Sequence, residues 1–157
     1  MLHHADHQES GLNITVIDRA SSGEFNATPA AEVPASGAAV RSIPNLKEAI
    51  TAVGVGDSAN IVDSAHLAPF DQVRLFEATS LLIGQHGAGL ANMLWMKPGS
   101  VVIEILPPCP PWVEPIFSNL ARTLGHTLLT VPQADPHAPV DVNALGEAVQ
   151  SAITGAL

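Results

Sequence analysis

The sequence has 157 residues, 46% of them hydrophobic, and fifteen Asp and Glu against six Lys and Arg, for a formal net charge of −9. That length suits one domain with a proper core, and the apolar fraction excludes wholesale disorder. The charge argues against nucleic acid or an anionic membrane surface as a partner, because both are held by clustered cations.

Residues 1–11 are polar and His-rich, without the apolar stretch of a signal peptide. His3, His4 and His7 can ligate a metal, but a disordered tail or tag is the simpler reading, and no metal site is expected. Cys109 is the only cysteine, so neither a disulfide framework nor a cysteine-based metal site can form within the chain. No apolar run approaches the ~20 residues that span a bilayer. A reducing, cytoplasmic setting is expected; the alternative is the secretory lumen, if the chain belongs to a longer precursor.

Asn13 to Asp18 is short, apolar and rich in β-branched residues, and reads as a buried strand. Asn13-Ile14-Thr15 matches a glycosylation sequon, but a buried Asn13 is a poor acceptor. Residues 19–44 carry Pro, Ala, Ser and Gly without period and read as a long loop. Leu46 to Val53 is a predicted helix closed by Gly54, and Ala59 to Asp63 a second strand. Pro69 to Thr79 has the spacing of an amphipathic helix. Ser80 to Gly84 is a third strand, Gly87 to Met93 opens a helix, and Lys97-Pro98-Gly99-Ser100 is a turn. Val101 to Leu106 is a fourth strand, halted by Pro107 and Pro108. Trp112 to Leu124 is a helix stopped by Gly125, His126 to Val131 a fifth strand, and Val142 to Ile153 a closing helix.

Strand and helix thus alternate about five times, and the strands are near-continuous apolar runs. That pattern implies one α/β domain with a Rossmann-like open parallel sheet of about five strands and helices on both faces. Such sheets bind ligands beyond the carboxyl ends of their strands. Three of those ends carry polar chemistry here: Asp18-Arg19, Gly84 to Asn92, and Glu104.

The middle one runs strand, glycine-rich turn, helix start. Gly84, Gly87 and Gly89 leave room for a phosphate to approach the backbone, with Ala88 between the last two. The N–H groups and dipole of a following helix would complete an anion site. Tight βα packing is the competing explanation for the glycines. His86 can donate a hydrogen bond to a phosphate oxygen or carry a proton, which makes it a weak catalytic candidate. Asn92 can cap the helix or touch the ligand. Glu104 interrupts a buried strand, where an unpaired carboxylate is costly. It can accept from ribose hydroxyls, cap a helix, or pair with Arg19 or Lys97. Arg19 is one of six cations in an acidic chain and is suited to bidentate contact with a diphosphate.

The run Phe70-Asp71-Gln72-Val73-Arg74-Leu75-Phe76, the loop Ile83-Gly84-Gln85-His86-Gly87-Ala88-Gly89-Leu90-Ala91-Asn92, the Pro98-Gly99 turn and the strand Val101-Val102-Ile103-Glu104 follow one another in order. Together they resemble glycosyltransferase family 61, over residues 70–106. Val16-Ile17-Asp18-Arg19 is similar to the family's upstream Arg element. The resemblance implies the carboxyl-terminal, donor-binding half of a two-domain GT-B enzyme. That half would take a nucleotide sugar, in the first instance UDP-linked, for transfer to a glycan acceptor without a metal or other cofactor. A separate amino-terminal half or a homodimer would then complete the cleft.

Two other readings stay open. One is a non-catalytic domain that keeps the fold, with Trp95, Met96, Trp112 and Phe117 marking either an interaction surface or ordinary core. The other is a dinucleotide-binding module. Glu104 stands twenty residues beyond Gly84, near the spacing of that fingerprint, although two strands precede the loop and the glycine spacing differs.

Overall fold

The computed structural model describes residues 12–19 and 42–155. The expectations for residues 1–11 and for most of the 19–44 loop lie outside those residues. Five strands form one sheet: β1 (Ile14–Ile17), β2 (Ala59–Val62), β3 (Leu81–Gln85), β4 (Val101–Leu106) and β5 (Thr127–Pro132). Every neighbouring pair is parallel, and the order is β2-β1-β3-β4-β5. The central strands read as near-continuous apolar runs because both their faces are covered.

Among the described residues, four α-helices cover them: α1 (Leu46–Ala52), α2 (Pro69–Ala78), α3 (Pro115–Leu124) and α4 (Val142–Thr154). On one face α1 and α4 pack Leu46, Ile50, Leu145 and Val149 against Ile14, Val16, Ile83 and Ile105. On the other, α2 and α3 bring Phe76, Phe117 and Ala121 onto Ile17, Leu82 and Val102. Phe76 is wholly buried, and a side chain of that size contributes roughly 1.5–3 kcal/mol by leaving water. Local signals fix the helix ends. Pro69 and Pro115 stand in first turns, where a missing N–H costs nothing. The Asp141 carboxylate accepts from the N–H groups of Asn143 and Ala144. Gly125 ends α3 with φ of 74°.

Most predicted elements fall within two residues of their observed bounds, with three differences. The helix expected from Trp112 begins at Pro115, after turns. Asn13 precedes β1 and is exposed, so burial is no argument against it as an acceptor. The helix expected after the glycine-rich loop is a 3₁₀ segment, Ala88–Trp95. Its ends carry i→i+3 bonds, from Leu90 N–H to the Gly87 carbonyl and from Met96 N–H to the Met93 carbonyl. The cause is a row of apolar residues three apart. Leu90, Met93 and Met96 are all buried, and three residues per turn brings them onto one face.

Of the four large apolar residues in question, Met96 and Phe117 are core, whereas Trp95 and Trp112 are 49% and 77% exposed.

Candidate functional site

In this strand order the chain moves from β1 to β2 on one side and then to β3 on the other. The crossovers therefore part between β1 and β3, the switch point at which open sheets leave a crevice. A cavity of about 260 Å³ lies there. Ile17 and Arg19 at the end of β1 form one wall, and the Asp63–Ala65 turn after β2 with Gln72 of α2 forms another. Ala88, Gly89 and Asn92 after β3 close it.

The structure thus brings four of the eight expected site residues to one cavity: Arg19, Ala88, Gly89 and Asn92. Asn92 does not cap the segment, which has no side-chain cap; its amide donates to the Gly89 carbonyl at 3.0 Å, and it lines the cavity. Gly87 stands directly behind Arg19. Its φ is 156°, and a Cβ there would lie 2.9 Å from the Arg19 Nη1. Only a glycine leaves the guanidinium its place.

Gly84 and Gly89 serve packing. A Cβ on Gly84 would meet Leu90 Cδ2 at 3.1 Å, and one on Gly89 would meet Ile17 Cδ1 at 3.1 Å. The absent side chains let the 3₁₀ segment lie against β1. At these two positions close packing explains the glycine.

His86 and Glu104 lie apart from that cavity, and they meet each other. Ile17, Gly84, Glu104 and Thr130 stand in one row across the sheet, on the α3 side. His86 follows β3 directly, and its Nδ1 lies 2.5 Å from Glu104 Oε1. The two side chains are 5% and 1% exposed. A proton between these atoms satisfies both. Phe117 packs against the imidazole edge-to-face, with centroids 5.0 Å apart. Burial pushes the Glu104 carboxyl above its ordinary value, while the hydrogen bond and charge of His86 pull it down and Glu114 adds to the rise. Neither Arg19 nor Lys97 is its ion-pair partner; within the chain that partner is the His86 imidazole. Glu104 also borders a second cavity of about 260 Å³, with Glu114 and Ser118 at α3 and Thr130 on β5.

Several residues at this edge went unsingled in the sequence. Asp63 caps the short turn after β2, accepting from Ala65 N–H at 3.0 Å, and its other oxygen lies 3.4 Å from His66 Nε2. The Gln72 amide donates to the Leu67 carbonyl and fixes that turn to α2. Gln85 is buried on the opposite face, donating to Gln133 Oε1 at 2.6 Å and to the Pro136 carbonyl at 3.0 Å. Polar residues in apolar surroundings were the available signal, and Gln85 directly precedes His86. Among the described residues, no group of three or more His, Cys, Asp or Glu is placed to hold a metal ion, and no helix is long and apolar enough to cross a membrane.

A family model described as Glycosyltransferase 61 matches residues 13–103, more than half of the chain. The chain belongs to glycosyltransferase family 61. The match runs from the start of β1 through the glycine-rich loop and stops one residue short of Glu104. Among curated relatives, the chain is 36% identical over 53 residues to the xylan glycosyltransferase MUCI21 of Arabidopsis thaliana, covering 33% of this chain and 11% of that protein. It is 32% identical over 81 residues to a beta-1,2-xylosyltransferase of the same plant, covering 49% of this chain and 15% of the relative. The chain therefore spans only a small part of the length of these relatives.

Proposed function

We propose that this chain is the donor-binding half of a glycosyltransferase, holding the diphosphate of a nucleotide sugar in the cavity between β1 and β3 for transfer of the sugar to a glycan acceptor. The observation that carries the reading is the guanidinium of Arg19 against Gly87, at the switch point of the sheet. In a chain of net charge −9 a diphosphate must be held by local groups, and here a planar cation meets the opening of a helical segment. As the glycosidic bond to the donor breaks, negative charge grows on the departing diphosphate. Arg19 and the N–H groups of the first turn offset it, without a metal. The xylosyl names of the relatives make UDP-xylose the first donor to try.

Calorimetric titration with UDP-xylose, UDP, GDP-sugars and NAD tests this. Saturable binding of a sugar nucleotide that is lost in Gly87→Val is expected. Preference for NAD would instead indicate a dinucleotide module. Failure to bind any of the four would leave a non-catalytic domain with a family 61 fold.

A further inference from the structure

The proposed site has one wall whose position is set from outside it. The loop from His86 to Gly89 leaves β3, and Ala88 and Gly89 line the Arg19 cavity. Two residues before Ala88, His86 is fixed on three sides. Its N–H donates to the Ile105 carbonyl at 2.9 Å, its ring meets Glu104 at 2.5 Å, and Phe117 covers its edge. Gly87 is the single residue between that anchor and the cavity wall, and it is the residue against which Arg19 rests. Glu104 does not line the Arg19 cavity; the cavity it borders shares no residue with that one.

We infer that Glu104 is a positioning residue: acting through the His86 ring, it holds the Gly87–Gly89 backbone in the conformation that grips a diphosphate, and it does so without touching the ligand. This rests on the proposed diphosphate site. The physical reasons are its placement and its partner. A carboxylate in the interior of a sheet moves only with the sheet, so an imidazole bound to it inherits the rigidity of β4. The ring passes that rigidity to Gly87, whose backbone has the conformational freedom to lose it. Without the pair, His86 would lose its bond to the rigid sheet interior, and Gly87 and Arg19 would no longer share one arrangement.

The test uses the whole 157-residue chain, the variants Glu104→Leu and Glu104→Gln, and two probes, UDP and inorganic pyrophosphate. Pyrophosphate lacks ribose, so it separates positioning from ribose contact. In Glu104→Leu the affinities for both probes are expected to fall by the same factor, about tenfold, as for loss of one charged hydrogen bond. The amide resonances of Gly87 and Gly89 should shift and their hydrogens exchange faster. Glu104→Gln keeps an acceptor for the imidazole and should recover most of both effects. If Glu104→Leu does not fold, Glu104→Gln carries the test, with a smaller loss that is again equal for the two probes and a displaced His86 Nδ1 resonance. A loss confined to UDP, or unmoved Gly87 and Gly89 amides, overturns the inference. If the unaltered chain binds neither probe, the donor site is what fails. Amides that move in Glu104→Leu then sustain the positioning of the loop, and amides that stay overturn it.

Discussion

Replacing Gly87 by Ala separates two costs that are usually confounded. The first is backbone strain. Gly87 has φ of 156° and ψ of 178°, a region that residues with a Cβ enter at about 1–3 kcal/mol. The second is steric. The new Cβ would stand 2.9 Å from the Arg19 Nη1. The far end of an Arg side chain yields easily, so this contact adds little to the stability cost, but it displaces the cation from the cavity. Gly99 is the control. Its φ is 88° and a Cβ there meets nothing within 4 Å, so Gly99→Ala carries strain alone. In urea unfolding both variants should lose about 1–3 kcal/mol. In calorimetry with UDP only Gly87→Ala should lose affinity, by about tenfold or more, equivalent to roughly 1.4 kcal/mol. Equal affinities in the two variants would remove Arg19 from the grip on the ligand. An undiminished stability of Gly87→Ala would show that the strain argument is wrong.

Arg19→Ala removes the guanidinium from the cavity, so UDP affinity should fall about ten- to a hundredfold, the worth of a charge-assisted hydrogen bond, and an unchanged affinity in calorimetry would refute the placement. The pH dependence of stability reports on Glu104. Its carboxyl titrates above the ordinary 4.5 in the folded chain, chiefly through burial. The folded state then holds the proton more tightly than the unfolded state, so this group's contribution declines as pH rises from 4.5 through the folded value. Urea midpoints across that range should therefore shift in favour of Glu104→Gln relative to the unaltered chain, and parallel curves would refute the assignment. Asp141 caps α4 through two N–H groups, and Asp141→Ala should cost about 1 kcal/mol in thermal or urea unfolding with no effect on UDP binding.

The fold was legible because each strand announces its own burial. Val16, Ile83 and Ile103 sit in apolar runs with no polar alternation, which only a sheet covered on both faces accommodates. The strand order was not legible in the same way. Nothing local to β1 says that β2 lies on one side of it and β3 on the other; that is a matter of crossovers, and it decides where the crevice falls. The 3₁₀ segment is a subtler case. Leu90, Met93 and Met96 recur every third residue, but a three-residue period over so short a stretch also fits the α-helical pattern, and the glycines before it favoured a helix start. The burial of all three on one face settles the period.

At the site, the sequence pointed to residues that the fold gathers at one end of the sheet, but not to which protein groups each of them meets. A glycine can make room for a ligand or for a neighbouring side chain, and composition does not distinguish them. Gly84 and Gly89 make room for Leu90 and Ile17, and only Gly87 makes room for Arg19. A carboxylate in a strand signals a partner but not which one. Arg19 and Lys97 were the obvious cations, and neither shares its row in the sheet. The answer lay in register. Gly84 stands opposite Glu104, so the residue two places beyond Gly84 projects on the same side of the sheet and reaches the carboxylate, and that residue is His86. The parallel pairing of β3 with β4 therefore both builds the end of the sheet and joins the glycine-rich loop to the core. His86 and Glu104, read separately from the sequence, form one buried pair beside the cavity, and a single residue, Gly87, separates that pair from the wall formed by Ala88 and Gly89.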